Sequence, residues 1–538
     1  MGATSLLLHE GIVQAIKEHA QRSAIRHENG ETTSYYQLGQ MALAFTDILN
    51  LCHGPLLSSA PLVGILSAVH QYSIAGVLGI LLRGSAYVPL DEQSSCARLS
   101  SIVENCTLEV LLVESILVER FAPLLTLAPI KTIIVFGDDP YPQELLASKK
   151  VICFSAFYAE SSPRAFPPQS KQVPNDLAYV LHSSGSTGIP KGIMLSHLNA
   201  WTFVQWMQAE FKLTSADRVM ARAPLKFDLS VFDIFNTLGV GATLICFDWH
   251  RTRNREARHR DYVALLERER ASLLYTTPST LIALRNHGGL GHRPSALRTI
   301  MYAGEPFPLP QLADLMKDLA GVRIANIYGP TETNIISCFW VENLKREWGS
   351  IPLGRVVEGS EILVVSDDQT RICAADEVGE IWCRGNTVTL GYWGDHKQTA
   401  RCLVLSPFHA YPAYFWRTGD YGFRDSQNLL HYRGRRDHMV KIKGYRVELG
   451  EIEARLASIE GIDEFCVLAL SREEQEKILL CCYATKNQSE IADELFIDSL
   501  RIYLPAYMLP QRFVFYKELP KTSSGKIDRL RLATEVNV

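Results

Sequence analysis

The run Ser183-Ser184-Gly185-Ser186-Thr187-Gly188-Ile189-Pro190-Lys191-Gly192 leaves an apolar strand and offers small residues whose backbone N–H groups can close on an anion, with hydroxyls and one lysine beside them. Its Gly-to-Lys spacing is wrong for a Walker A loop and it lacks the Gly-x-Gly of a dinucleotide fingerprint, so the expected chemistry is phosphate binding of another kind. Asn326-Ile327-Tyr328-Gly329-Pro330-Thr331-Glu332 follows a second apolar strand, and Gly-Pro turns Tyr328 and Glu332 out at the strand's carboxyl end, where α/β sheets bind ligands. A tyrosine can stack on a base and a carboxylate can hold Mg2+ beside phosphate oxygens, although alone the run reads as an ordinary turn with a buried tyrosine. Arg417-Thr418-Gly419-Asp420 and Gly434-Arg435-Arg436-Asp437 each pair a carboxylate able to accept two ribose hydroxyls with an arginine able to meet a phosphate. Lys521-Thr522-Ser523-Ser524-Gly525-Lys526-Ile527-Asp528-Arg529 reads by itself as a solvated charge run.

These residues need rigid elements to hold them. From Pro61 to Pro174, strand-like runs at Val63–Leu66, Val110–Val113, Thr132–Phe136 and Val151–Phe154 alternate with helical stretches, the pattern of βαβ units and a parallel sheet. Residues 5–50 read as helix, a short strand near Thr32–Tyr35, and helix again. A strand at Leu177–Leu181 feeds the Ser/Gly run, and the alternation resumes at Leu273–Tyr275, Thr299–Tyr302 and Ile324–Tyr328. A Gly-punctuated β-rich region from Gly354 to Tyr432 suggests a smaller barrel-like subdomain. After it come a helix at Glu451–Ile459 and strands at Phe465–Leu470 and Ile478–Ala484. The expected fold is α/β: a large N-terminal domain of two α/β subdomains plus the barrel-like one (1–436), and a small α+β domain (437–538) on a hinge at Asp437.

With 538 residues, more than one domain is expected. At 47% hydrophobic and 21% charged, the chain is compositionally globular. A formal net charge of -4 leaves no basic surplus for nucleic acid. The 12 cysteines show no Cys-x-x-Cys pair, which fits a reducing cytoplasmic setting. Leu6–Leu8 is cut by His9 and Glu10 with no basic region before it, and Ile74–Leu82 is too short to cross a bilayer, so neither secretion nor a membrane is expected.

Taken in order, the motifs resemble those of the adenylate-forming enzymes, and within them the adenylation domains of nonribosomal peptide synthesis, over nearly the full chain. Gly84-Ser85-Ala86-Tyr87-Val88-Pro89-Leu90-Asp91, Phe227-Asp228-Leu229-Ser230, Gly391-Tyr392-Trp393 and Val440-Lys441-Ile442-Lys443-Gly444-Tyr445-Arg446-Val447-Glu448 belong to the match. The resemblance implies ATP and Mg2+: the loop from Ser183 to Lys191 (Ser183, Ser184, Gly185, Ser186, Thr187, Gly188, Lys191) at the β- and γ-phosphates, and Thr331 with Glu332 at the α-phosphate and the metal. It also implies Tyr328 on adenine, Asp420 on the ribose, Arg435 supporting the nucleotide from the hinge side, and Gly304, Glu305, Asn326 and Gly329 lining the nucleotide site. Lys526 corresponds to the family's C-terminal lysine between substrate carboxylate and α-phosphate. The small domain is expected to rotate about Asp437 between half-reactions and present the Gly444 loop to a pantetheine arm. His182 and Ser183 replace a usual Tyr-Thr pair, Met439 a common Gln, and Lys443 a common Arg.

Carried over by resemblance, the acyl pocket is Asp228, Leu229, Phe232, Tyr275, Met301, Ala303, Ile327, Ile335, Ile336 and Lys526. Asp228 takes the place at which α-amino-acid enzymes hold the ammonium. Read locally, it is equally a helix N-cap for Val231–Leu238, with Ser230 able to cap instead. The apolar lining between two charged ends implies a small aliphatic amino acid: L-proline first, by similarity to free-standing prolyl-activating enzymes, alanine or another small one second. The acceptor is expected to be a separate holo carrier protein. Asp498-Ser499-Leu500 superficially resembles a phosphopantetheine site but precedes a Leu504–Pro510 run that matches the family's own pattern. Arg251, Arg253, Arg255, Arg258 and Arg260 could face an acidic carrier, a solvated loop being the plainer reading. An acyl- or aryl-CoA ligase shares the nucleotide motifs and is the alternative.

Overall fold

The computed structural model describes residues 6–53, 61–166, 172–183, 190–249, 255–292, 296–345, 350–435, 439–442, 444–457, 459, 461–471, 477–485, 489–521 and 527–536. Ser184, Gly185, Ser186, Thr187, Gly188, Asp437 and Lys526 lie outside them. The chain divides into two compact units, the first of residues 1–92, 103–181 and 192–434 and the second of 93–102, 182–191 and 435–538.

The first unit holds three sheets. In the eight-stranded one, Leu62–Leu66 pairs in parallel with Ala86–Leu90 and Val110–Glu114, and the ladder continues through Thr132–Phe136 to Lys150–Cys153. Leu62–Leu66, Ala86–Leu90 and Thr132–Phe136 are buried at every position, as expected of parallel strands covered on both faces. In the nine-stranded sheet, Arg218–Met220, Leu273–Thr276, Thr299–Ala303 and Arg323–Tyr328 run parallel, and Ser337–Val341 folds back antiparallel. The β-rich region forms a five-stranded antiparallel sheet built on Ser360–Val365, Gly379–Gly385 and Tyr414–Arg424, so the barrel-like subdomain is an antiparallel sheet, as its Gly punctuation suggests.

In the second unit, Ile462–Ser471, Lys477–Thr485 and Arg512–Phe515 form a three-stranded sheet. The helices Leu449–Leu456 and Asp493–Arg501 bury Ile452, Leu456, Phe496 and Leu500 in one core with Leu479 and Cys481. Asp498 and Ser499 sit in that second helix rather than in a modification loop.

Five local expectations change. Residues 5–50 contain a second strand, Ser23–His27, which buries Ala24 and Ile25 and pairs through Ile25–His27 with the strand Thr243–Cys246. The Leu177 strand extends to Ser183, and the helix expected over Glu451–Ile459 is Leu449–Leu456. The helix expected over Val231–Leu238 starts at Leu229 and widens into a π-helical turn at Phe232–Asn236. Of the arginine cluster, Arg255, Arg258 and Arg260 belong to the helix Arg255–Arg268, not a loop, and Arg258 Nη1 donates to Trp249 O at 2.8 Å; Arg251 and Arg253 lie outside the described residues. Among the described residues no helix is long and apolar enough to cross a membrane.

The first unit buries neutral imidazoles. His197 Nδ1 accepts from the Leu8 amide at 3.2 Å, and its Nε2 lies 3.1 Å from Gln172 Nε2. Burial pushes His9 down to about 3, His197 to about 4 and His27 to about 4. Below the ordinary value of 6.5 the unfolded chain takes protons that these native rings refuse, so stability falls as pH drops from 6.5 toward 4. Asp233, raised by burial to about 7, opposes this with one proton over the same window. Three protons less one give a limiting loss of about 3 kcal/mol per pH unit. Urea midpoints should therefore drop steadily between pH 6.5 and 5, and His9→Gln should flatten the slope by about one proton; an unchanged slope would show that His9 titrates normally.

Candidate active site

The strand Arg323–Tyr328 delivers its last residues to a sharp reversal. A Cβ on Gly329 would stand 2.4 Å from Asn334 O and 2.8 Å from Ile335 Cα, so the fold-back at Gly329-Pro330 admits only glycine. Two phenols then fix the turn to neighbouring elements. Tyr328 Oη donates to Asp420 Oδ2 at 2.7 Å, tying this strand to Tyr414–Arg424 of another sheet. Tyr392 Oη donates to Glu332 Oε1 at 2.7 Å, and the Thr389 amide donates to Glu332 O at 2.7 Å. Tyr328, Glu332 and Asp420 are all buried, and burial together with the Asp420 carboxylate pushes the Tyr328 phenol well above its ordinary value.

The positions expected to form the acyl pocket also converge, and register explains why. Tyr275 lies beside Met301, Met301 beside Ala325, and Ala303 beside Ile327. Period-two alternation therefore puts Tyr275, Met301, Ala303 and Ile327 on one sheet face, while Leu274, Ile300, Tyr302 and Ile324 face a separate core. Phe232 packs edge-on to Tyr275 with ring centroids 5.2 Å apart. Leu229, Phe232, Tyr275, Met301, Ala303, Ile327, Ile335 and Ile336 share one apolar cluster, and the Ile336 amide donates to Tyr328 O at 2.9 Å, joining the pocket to the Tyr328 turn. Asp228 occupies the N-cap of Leu229–Val231 but makes no side-chain cap hydrogen bond, and Ser230 Oγ donates to Leu225 O at 3.2 Å instead of capping. The Asp228 charge adds to burial in raising the phenols of Tyr179 and Tyr275.

Other expected positions are occupied differently. Asn326 faces the sheet side opposite Ile327 and donates from Nδ2 to Pro352 O at 2.9 Å. Glu305 accepts the Ser279 amide at 3.0 Å, at the start of the helix Pro278–Gly288, next to Gly304 at φ +95°. In the second unit, Ser183 Oγ is buried with no hydrogen-bond partner among the described residues, Lys191 Nζ lies 3.3 Å from Glu448 Oε1, and Gly444 has φ +81°. Arg435 ends the strand Leu430–Arg435.

Three residues join the site that the sequence reading leaves out. Asp233, fully buried in the π-turn, accepts the amides of Arg222 and Ala223 at 3.0 and 3.1 Å and so holds the backbone leading to Asp228. Tyr179 reaches Asn334 Oδ1 at 3.4 Å. Asn334 follows the Thr331–Thr333 turn with φ 52° and ψ -75°, a strained conformation for a side-chain-bearing residue. Only the Asn334 position carries a sequence signal, since Asn tolerates positive φ; nothing in the local sequence marks Asp233 or Tyr179.

Comparison with known proteins places the chain in a family. The AMP-binding enzyme family matches residues 12–393, and the AMP-binding enzyme C-terminal domain matches residues 451–526. The chain belongs to this family and is an adenylate-forming ligase. It is 31% identical to an L-proline--[L-prolyl-carrier protein] ligase of Pseudomonas fluorescens over 98% of this chain and 99% of that one. It is 32% identical to the enzyme of the same name from Streptomyces coelicolor over 85% and 84%. The amide bond synthetase McbA of Marinactinospora thermotolerans shares the fold with a TM-score of 0.85 over 98% of this chain and 99% of that one, at 20% identity.

Proposed function

We propose that this ligase activates a small aliphatic amino acid, L-proline first, as its aminoacyl-adenylate and passes the acyl group to the phosphopantetheine thiol of a separate holo carrier protein. In the first step a carboxylate oxygen bonds to the α-phosphorus of ATP and pyrophosphate leaves; in the second the thiol sulfur bonds to the acyl carbon and AMP leaves. The observation that carries the reading is the carboxylate of Asp228 set at the edge of an apolar cluster, its charge felt by the phenols of Tyr179 and Tyr275. A carboxylate beside such a wall offers a complementary charge to an amino acid's ammonium.

The other roles follow from placement. Tyr328 and Asp420, already bonded to each other, offer adenine a ring and ribose a carboxylate. Glu332 supplies one carboxylate, and no cluster of three His, Cys, Asp or Glu exists among the described residues. That donor set fits Mg2+, which accepts one or two carboxylates and takes its other oxygens from phosphates and water. The orphaned Ser183 hydroxyl at the head of the Ser/Gly loop fits a phosphate acceptor. Thr331, Gly304, Glu305, Gly329, Lys191 and Arg435 complete the nucleotide site, and Lys526 bridges the reacting oxygens. Residues 1–436 act as the core and 437–538 as the mobile domain, hinged at Asp437, with the Gly444 loop meeting the pantetheine arm.

The names of the two prolyl ligases support proline, and alanine or another small aliphatic amino acid is the second choice. Amino-acid-dependent ATP–pyrophosphate exchange across all amino acids is the test: the signal should peak on proline or a small aliphatic one. A peak on a charged or aromatic amino acid overturns the pocket reading, and exchange driven only by non-amino acids, with CoA as acceptor, favours an acyl- or aryl-CoA ligase.

A further inference from the structure

The first residue of Arg218–Met220 and the residue before Leu273–Thr276 mark the ends of those strands opposite the candidate active site. There the first unit opens into a cavity of about 780 Å3 whose lining includes Arg26, Arg218, Arg268, Glu269, Arg270 and Ser272. We propose that this cavity binds a small polyanion of the phosphate class, at a site separate from the one that turns over ATP.

Glu269, only 7% exposed, sits amid the guanidinium groups: Arg26 Nε approaches it at 2.8 Å, Arg218 Nη2 bonds it, and Arg268 Nε lies at 3.5 Å. No carboxylate among the described residues pairs with Arg270. Glu28 is the only other carboxylate in the lining, so four arginines less two glutamates leave a formal +2. Burial holds the Arg218 pKa below the ordinary value; Glu269 pulls it up, and the charges of Arg26 and Arg270 push it down. Its Nε is buried with no hydrogen-bond partner among the described residues, a donor left over after Glu269 is satisfied.

The backbone adds a second sign. Arg270 stands just past the end of the helix Arg255–Arg268 with φ +53°, where glycine or asparagine is the comfortable choice. Cations are favoured beside a helix C-terminus, and that accounts for Arg268 and Arg270. It does not account for Arg26 and Arg218, which come from two strands, Ser23–His27 and Arg218–Met220. Guanidinium groups converging from three directions suit the tetrahedral oxygens of phosphates and, less completely, the planar ones of a polycarboxylate.

Arginine-selective dicarbonyl labelling of the full chain, read peptide by peptide by mass spectrometry, locates binding without reference to catalysis. At fixed ionic strength, inorganic triphosphate should slow labelling of Arg268 and Arg270 at least about 5-fold, and citrate less than 2-fold. Arg270→Gly removes the guanidinium and the strained φ together, so it should fold normally while raising about 10-fold the triphosphate concentration that protects Arg268. Equal rates with and without triphosphate, protection by citrate alone, or equal slowing at exposed Arg371 and Arg531 would each overturn the proposal.

Discussion

Asp228→Asn should lower kcat/KM for the amino acid about 10²- to 10³-fold in ATP–pyrophosphate exchange while leaving the chain folded. The substitution keeps volume and shape, and no side-chain cap hydrogen bond is lost because Asp228 makes none. What disappears is the charge proposed to face the substrate ammonium. Removing one member of a desolvated ion pair costs about 3–5 kcal/mol, and a charge-assisted hydrogen bond about 1.5–3, so the middle of that combined range, about 3–4 kcal/mol, sets the expected factor. The same variant should handle the carbocyclic acid that lacks the amine no worse than wild type, because that substrate brings no cation to pair. The double comparison separates a lost charge from a damaged pocket: equal losses on both substrates would mean that Asn distorts the wall formed by Leu229 and Phe232, and an unchanged amino-acid kcat/KM would remove Asp228 from substrate recognition.

The parallel sheets were legible because buried strands are continuous apolar runs bounded by turn residues, and Thr132–Phe136 forms over the very residues that suggest it. Ser23–His27 escaped because Ser, Arg and His mask the two residues that are buried, and its partner strand Thr243–Cys246 is remote in sequence. The π-turn at Phe232–Asn236 is invisible for another reason: the extra residue per turn changes backbone geometry without breaking the apolar pattern. It buries Asp233, which sequence periodicity assigns to no role. At the site, the motif residues could be numbered from the sequence, but the bonds that join them could not. Tyr392 belongs to a matched run, yet its hydrogen bond to Glu332 links elements that no local pattern connects. Pocket positions sit together because of strand register, Tyr275 against Met301 and Ala303 against Ile327, which individual strands do not encode.

Lys526→Ala should reduce amino-acid-dependent pyrophosphate exchange about 10³-fold, raise the KM for ATP less than about 5-fold, and leave transfer from a preformed aminoacyl-adenylate to the carrier thiol within about 5-fold of wild type. The asymmetry follows from where charge develops. As the carboxylate oxygen bonds to the α-phosphorus, negative charge concentrates on oxygens that are less charged in the bound reactants, so a cation aimed there stabilises the transition state more than the ground state and appears in kcat. One well-placed donor of this kind accounts for about 10²–10³, and a full charge stands at the upper end. In the second step the bond that forms is sulfur to carbon and the group that leaves is AMP, already a stable anion, so the same lysine has little left to neutralise. Lys526→Arg discriminates between charge and geometry: a cation alone would restore most of the exchange, whereas a requirement for a compact ammonium between two anionic groups would leave Arg, with its planar fork, nearly as slow as Ala. Equal loss of both half-reactions in Lys526→Ala would refute the division of labour between this lysine and the Gly444 loop.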